Sequence, residues 1–330
     1  MSEVDVNIVT WNSQPFIAAC MNSILQQTFK DLEVTVVDNG SDDGTVQLLK
    51  DQFGSRARLI TNSSNEGYCR AHNRAITVSD GTYVLTLNPD VVLAPTFLEH
   101  AVEAISAEPR VGAVNGKLLQ IDPDQFDGGK FTVPEDEPRI DSIGLIMLRT
   151  RRQLLRGYQG GMSDSVHEKE FIFGPDGAAA LYLREMLEDV KIEGQYFDES
   201  FFTHKEDVDL AWRAQLLGWK SLYSPDSVAY HVRGFRPGER RGMATEIKRH
   251  AVKNRYLMLM KNELPQTFWR DWPQILFYDL KILGYILLFE RSSFLAYRDC
   301  IRLAPTALRW RRQIQKRRRA DSNYMERLFR

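Results

Sequence analysis

The chain is poor in cysteine and histidine and has no uninterrupted apolar stretch long enough to cross a bilayer. Cys20, Cys69 and Cys300 are the three cysteines in 330 residues. Their odd number and lack of metal or redox spacing exclude a disulfide framework and fit a reducing compartment. The most apolar run, residues 275–289, falls short of the roughly 20 residues a spanning helix needs. Asp279 and Lys281 also interrupt it. The acidic opening MSEVDVN shows no basic region followed by an apolar run, so no secretory leader is expected. No G-x-G-x-x-G follows the first strand-like run, which continues into Thr10, Trp11 and Asn12, and dinucleotide redox chemistry is disfavoured. Net charge is nearly absent too, with 43 Lys and Arg against 44 Asp and Glu. That balance hides an asymmetry: eleven basic residues after Ala296 face only Asp299, Asp321 and Glu326, which leaves the rest of the chain acidic.

What is present is an ordinary globular composition, 43% apolar and 26% charged, enough for one large core or two modest ones. Residues 4–9, 33–37, 57–60 and 83–87 read as strands, and the nearly continuous apolar runs at 34–37 and 83–87 are those of parallel strands covered on both faces. Helical spacing of apolar residues at 16–25, 44–49 and 69–78 lies between them. Strand and helix in alternation predict an α/β fold with a mostly parallel central sheet flanked by helices. Residues 111–174 break into Pro, Gly and Asp-rich pieces and predict an irregular or antiparallel connection. A second ordered block follows, with a helix at 207–217, a strand at 227–231 and a long helix at 243–262, then aromatic-rich and basic helices. No internal repeat is found.

Carboxylates stand where such a sheet binds nucleotides, at the carboxyl ends of its strands. Asp38 ends the second strand, where it either caps the next helix or meets a ligand. Asp90 follows the fourth strand behind Pro89, as a turn former or as one carboxylate of a divalent-cation site completed by substrate phosphates. Glu206, Asp207 and Asp209 open a helix whose dipole favours acidic residues and keeps them ionised, as a general base must be. His231, one of six histidines, ends a strand, a place commoner for a structural residue than for a metal ligand.

Taken together and in order, VTWN at 9–12, VDNGSDDGT at 37–45, NEGYCRAHN at 65–73, LNPD at 87–90, GPDGAAA at 174–180, FDESFF at 197–202 and EDVDLAWR at 206–213 resemble the family 2 inverting glycosyltransferases of GT-A fold, in the bacterial rhamnosyltransferase-like branch. The resemblance covers residues 4 to about 262. It implies a catalytic domain at 1–262, with a nucleotide-sugar half at about 1–110 and an acceptor half at 111–262 that holds the acidic helix, followed by a helical extension at 263–330. It further implies Asp207 as catalytic base, and Thr10, Asn12, Asp38, Asn65, Gly67, Arg70, Asn73, Asn88 and Asp90 around the donor. Asp176, Gly177 and Glu206 would face the acceptor, and Asp90 with His231 would hold Mg²⁺ or Mn²⁺. Asn88 departs from the family pattern, standing where D-x-D has its first carboxylate. Arg233, Arg236, Arg240 and Arg241 are either diphosphate ligands or a solvated face.

Such an enzyme would take a nucleotide sugar, dTDP-L-rhamnose first among them, and a glycan or polyprenyl-linked glycan acceptor. Another UDP- or dTDP-sugar, a nucleotidyltransferase and an inactive membrane-associated scaffold are the competing readings. Phe268, Trp269 and Trp272, the apolar run and the arginine-rich end predict a segment lying on an anionic membrane surface, with the enzyme peripheral on the cytoplasmic face of a bacterial plasma membrane. A homo-oligomer built through these helices is the alternative, and no nucleic-acid motif accompanies the arginines.

Overall fold

The structure, a computed structural model, describes residues 2–127, 130–133, 138–158, 166–232 and 242–330. The arginine group at Arg233, Arg236, Arg240 and Arg241 lies outside these described residues.

Strands β1 (Val4–Thr10), β2 (Leu32–Asp38), β3 (Arg58–Thr61) and β4 (Tyr83–Leu87) form where their apolar runs predict them, with α1 (Gln14–Leu25), α2 (Thr45–Phe53) and α3 (Tyr68–Thr77) in the crossovers. They pair in parallel in the order β3, β2, β1, β4. β1 and β4 are buried along their whole length, and helices on both faces are why they read as runs and not as alternation. Helix α1 begins at a proline whose fixed φ suits a first turn, and it packs Ile17, Cys20, Met21 and Ile24 into the core shared with Val6, Ile8 and Val36.

Past the short β5 (Val91–Leu93) and α4 (Phe97–Ala107) lies β6 (Val111–Gln120), a ten-residue strand inside the stretch expected to be irregular. The rest of that stretch does break into short pairings: β7 (Phe126–Asp127) with β8 (Lys130–Phe131), β9 (Ile140–Ser142) on β6, and β10 (Leu145–Met147) with β11 (Gln153–Leu155). β12 (Glu170–Ile172), β13 (Ala179–Leu183), α5 (Arg184–Val190), α6 (Glu206–Leu216) and β14 (Lys220–His231) complete the sheet. Its order is β12, β14, β6, β13, β4, β1, β2, β3. β13 runs antiparallel between β4 and β6, with Ala179 opposite Leu87. That inversion brings the turn before β13 beside the carboxyl end of β4, where the site lies.

Four helices close the chain: α7 (Thr245–Asn262), α8 (Pro265–Phe289), α9 (Leu295–Arg317) and α10 (Ser322–Leu328). α8 extends ten residues ahead of the apolar run and, by length and composition alone, suffices to cross a membrane, with 11% of its most apolar window buried. Ion pairs nevertheless fasten it along the body, Asp271 to Arg151 and Asp279 to Arg255, each at 2.8 Å. Trp310 and Ile314 of α9, Met325 of α10 and Phe329 join the same core as Phe197 and Trp212. Residues 263–330 therefore share the interior of the body. Arg309 pairs with Glu193, Arg317 and Arg319 pair with Asp189, and Arg311 donates to the carbonyls of Met260 and Glu263. These four tail arginines also bind the body, while Arg309 and Arg319 remain about half exposed, 55% and 50%.

Candidate active site

At the carboxyl ends of β1 and β2, Thr10 and Asp38 sit opposite each other and are fully buried. The Thr10 hydroxyl donates to Asp38 Oδ2 at 2.8 Å, while the amides of Gly40 and Ser41 donate to Oδ1 at 3.0 and 2.9 Å. Asp38 thus ties its own loop into shape. Asn12, at φ 51°, receives the Asp42 amide on its side-chain oxygen and donates its own amide to Ser41 Oγ, lacing the loops after β1 and β2 together. Asn65 accepts the Gly67 amide at 2.9 Å. Gly67 is required at φ 91°, because a Cβ there would meet the Phe202 ring at 2.6 Å. Arg70 and Asn73 point elsewhere: Arg70 pairs with Glu199, and buried Asn73 bonds the backbone of Tyr196 and Phe197. Of the nine expected donor residues, these two fasten α3 to the segment preceding α6. The backbone amide of Asn88 donates to the carbonyl of Ala178, which joins the β4 end to the turn before β13.

That turn carries Asp176 and Gly177. Asn115 of β6, fully buried, accepts the Asp176 amide at 2.7 Å, and the Tyr68 hydroxyl donates to the Gly177 carbonyl at 3.0 Å. The Gly177 amide donates to Asp207 Oδ2 at 3.1 Å and the Val208 amide to Oδ1 at 2.7 Å, so Asp207 is aimed by the turn and by its own helix. Burial, then the charge of nearby Asp176, pushes the Asp207 carboxyl above its ordinary value; burial, then Asp207, raises Glu206 further. The helix start was expected to keep Asp207 ionised. Burial and the charge of Asp176 raise its pKa despite the two backbone amides, which makes it a stronger base. Glu206 Oε2 is buried without a hydrogen-bond partner. Asp209 serves the fold: with Asp198 it holds Lys261, and it also receives Arg213 and Asn262, all buried.

The backbone before these acids is strained. Phe202, His204 and Lys205 all have φ near 70°, a region side-chain-bearing residues avoid. Asn254 of α7, fully buried, holds them there by donating to the carbonyls of Phe201, Thr203 and His204. No spacing in the sequence singled out Asn254 or Asn115, since neither belongs to a motif.

A third corner forms where the end of β14 pairs with β5, His231 opposite Val91. His231 Nε2 stands 3.6 Å from Asp90 Oδ1, an oxygen that is buried without a hydrogen-bond partner. His231 Nδ1 lies 2.8 Å from buried Asp141 Oδ2. Burial alone would lower the imidazole's pKa, but Asp90 and Asp141 raise it to about 10. A carboxylate on the far nitrogen fixes the tautomer and aims Nε2, as in histidine metal sites, so Asp141 is a support that the sequence analysis missed. Asp90 Oδ1, which has no hydrogen bond, and His231 Nε2 would hold a divalent cation once the imidazole gives up its second proton. No group of three or more such side chains placed to hold a metal occurs among the described residues, so substrate oxygens would fill the remaining positions.

A parallel sheet half that continues into a mixed half, with acidic side chains gathered at the junction, defines the GT-A class of glycosyltransferase fold. Comparison with known proteins agrees. The description Glycosyl transferase family 2 matches residues 5–190, and the chain belongs to that family. It is a glycosyltransferase of the nucleotide-sugar type. An N-acetylglucosaminyl-diphospho-decaprenol L-rhamnosyltransferase of Mycobacterium tuberculosis is 28% identical over 270 residues, covering 76% of this chain and 82% of that one. Among solved structures, S. aureus TarS residues 1–349 superposes with a TM-score of 0.56 at 16% identity, covering 95% of this chain and 90% of that one. Mannosyltransferase PcManGT from Pyrobaculum calidifontis, in complex with GDP-Man and Mn²⁺, gives 0.52 at 19% identity, covering 98% and 82%.

Proposed function

We propose that this enzyme transfers L-rhamnose from dTDP-L-rhamnose to a lipid-linked glycan, by one in-line displacement that inverts the sugar's anomeric carbon. The observation that carries the reading is Asp207, a carboxylate held by two backbone amides and made more basic by burial and by Asp176. As the acceptor oxygen attacks, Asp207 takes its proton, and the bond from the anomeric carbon to the diphosphate oxygen breaks with its electron pair leaving on the nucleotide. Glu206 and Asp176 orient acceptor hydroxyls. Thr10, Asn12, Asp38, Asn65 and Gly67 shape the loops that receive the nucleotide, and Arg70 and Asn73 position α3 behind them. Asp90 and His231 would hold Mg²⁺ or Mn²⁺, which supplies charge neutralisation for the departing diphosphate. An imidazole among the ligands favours Mn²⁺ over Mg²⁺.

Rhamnose and the prenyl-linked acceptor are supported by the name of the Mycobacterium tuberculosis relative. The outward stripe of α8, including Trp269, Trp272, Leu276 and Leu280, supports a peripheral seat on the cytoplasmic face of a membrane. Family membership weighs against the nucleotidyltransferase and scaffold readings. The test is protection against thermal unfolding by nucleoside diphosphates and their sugars with Mn²⁺, Mg²⁺ or chelator, followed by turnover of the best donor and the product's anomeric configuration by NMR. Metal-dependent protection by dTDP compounds and an inverted product are expected. Protection by UDP compounds alone would reassign the donor, and a retained configuration would remove the single-displacement mechanism.

A further inference from the structure

A cavity of about 860 Å³ lies between α7, α8 and the strained loop before α6. That is the size of a small-molecule site. Val252, Tyr278, Ile282, Tyr285 and Ile286 make its walls apolar. Its charged lining is Arg152, Lys205, Arg255 and Lys281, with no aspartate or glutamate among the described residues. Arg255 is held by Asp279 and by two backbone carbonyls. Arg152 and Lys281 are exposed at the surface. His204 and Lys205 also line the cavity and run directly into Glu206 and Asp207.

We infer that this cavity seats the prenyl diphosphate of the acceptor, apart from the donor cleft; the inference rests on the transferase reading and names the part of the acceptor that the acidic cluster does not hold. Three chemistries converge here. Apolar walls suit a hydrocarbon chain, the exposed Arg152 and Lys281 suit a diphosphate, and the loop at His204 and Lys205 leads along the chain into carboxylates that suit a sugar hydroxyl that must lose its proton. A purely carbohydrate acceptor gains nothing from the tyrosine and isoleucine walls, and a simple fatty acid offers no hydroxyl to Asp207. α8 also joins cavity and bilayer, because the helix that walls the site on one side exposes Trp272, Leu276, Leu280 and Leu287 on its other side.

The test uses the purified full chain and farnesyl diphosphate as probe, with farnesol and inorganic diphosphate as its two halves. Binding is measured with saturating dTDP and Mn²⁺ present, so that the donor cleft and its cation are already occupied. Farnesyl diphosphate is expected to bind at least about tenfold more tightly than either half, since each half keeps only one set of contacts. The double variant Arg152→Glu with Lys281→Glu is expected to weaken it by about tenfold or more while protection by dTDP is unchanged. Displacement of the probe by dTDP would place it in the donor cleft and overturn the inference, as would equal binding by the variant. Failure to bind with dTDP protection intact would overturn the prenyl site and leave the transferase reading standing. Absence of dTDP protection would instead remove that reading itself.

Discussion

At Asp207 a proton acceptor sits where folding favours a neutral group, and each neighbour shows one side of that conflict. Asp207→Asn keeps the shape and one of the two backbone-amide contacts but cannot take a proton. Its kcat is expected to fall by about 10²–10⁴ with nucleotide protection unchanged, and normal turnover would displace Asp207 as base. The acidic limb of the pH–rate profile should lie above the ordinary aspartate value of about 3.9, in the direction that burial and Asp176 push the group. Glu206 carries a stability consequence. Its folded pKa is raised, so across the window above the ordinary glutamate value the folded state binds more protons than the unfolded one, and stability falls as pH rises. Glu206→Gln escapes that loss. Its melting temperature should match wild type near pH 4 and exceed it increasingly towards alkaline pH; a gap that narrows instead would contradict the assignment. Asp141→Asn leaves both cation ligands in place yet loosens their aim, and calorimetric Mn²⁺ affinity in the presence of dTDP should drop by about 10–100-fold.

Among the elements, the segment from Phe202 to Lys205 matters out of proportion to its length, since three residues near φ 70° precede the acids and one amide restrains them. Asn254→Ala removes the amide shared by the carbonyls of Phe201, Thr203 and His204, with an expected stability loss of about 1–3 kcal/mol. The sharper check is kinetic: kcat should fall more than nucleotide affinity, whereas a purely structural role would lower neither once the folded fraction is counted. Legibility in the sequence follows the same division. β1 to β4 and their helices are readable because each is local, an apolar run or a 3.6-residue period bounded by its own turn chemistry. Asp38, Asp90 and Asp207 are readable as carboxylates at strand and helix ends. β6 is not, because Gly112 and Gly116 interrupt its apolar pattern where Met186 and Phe97 pack closely. Asn115, Asp141 and Asn254 are not, because a buried polar side chain looks like any surface residue until its partner, distant in sequence, is known. The ion pairs of Arg309, Arg317 and Arg319 are hidden for the same reason, their partners Asp189 and Glu193 lying over a hundred residues away.

For the whole molecule, the last helices are part of the body. Deleting residues 321–330 strips Met325 and Phe329 from the core and uncovers Arg151, whose guanidinium lies 3.9 Å from the Phe329 ring centre. The deletion should cost roughly 3–5 kcal/mol, the scale of losing large buried side chains, visible in denaturant titration; an unchanged midpoint would make α10 an appendage. The pairing of β14 with β5 and β6 also has a bearing on synthesis. Asp90 leaves the ribosome long before His231, and the parallel half of the sheet is complete in sequence before Asp176, Glu206 or Asp207 exists. A chain stopped before residue 176 therefore lacks Asp176, Glu206, Asp207 and His231 altogether. On the roles proposed above, sugar transfer becomes available only when the second half of the message has been read.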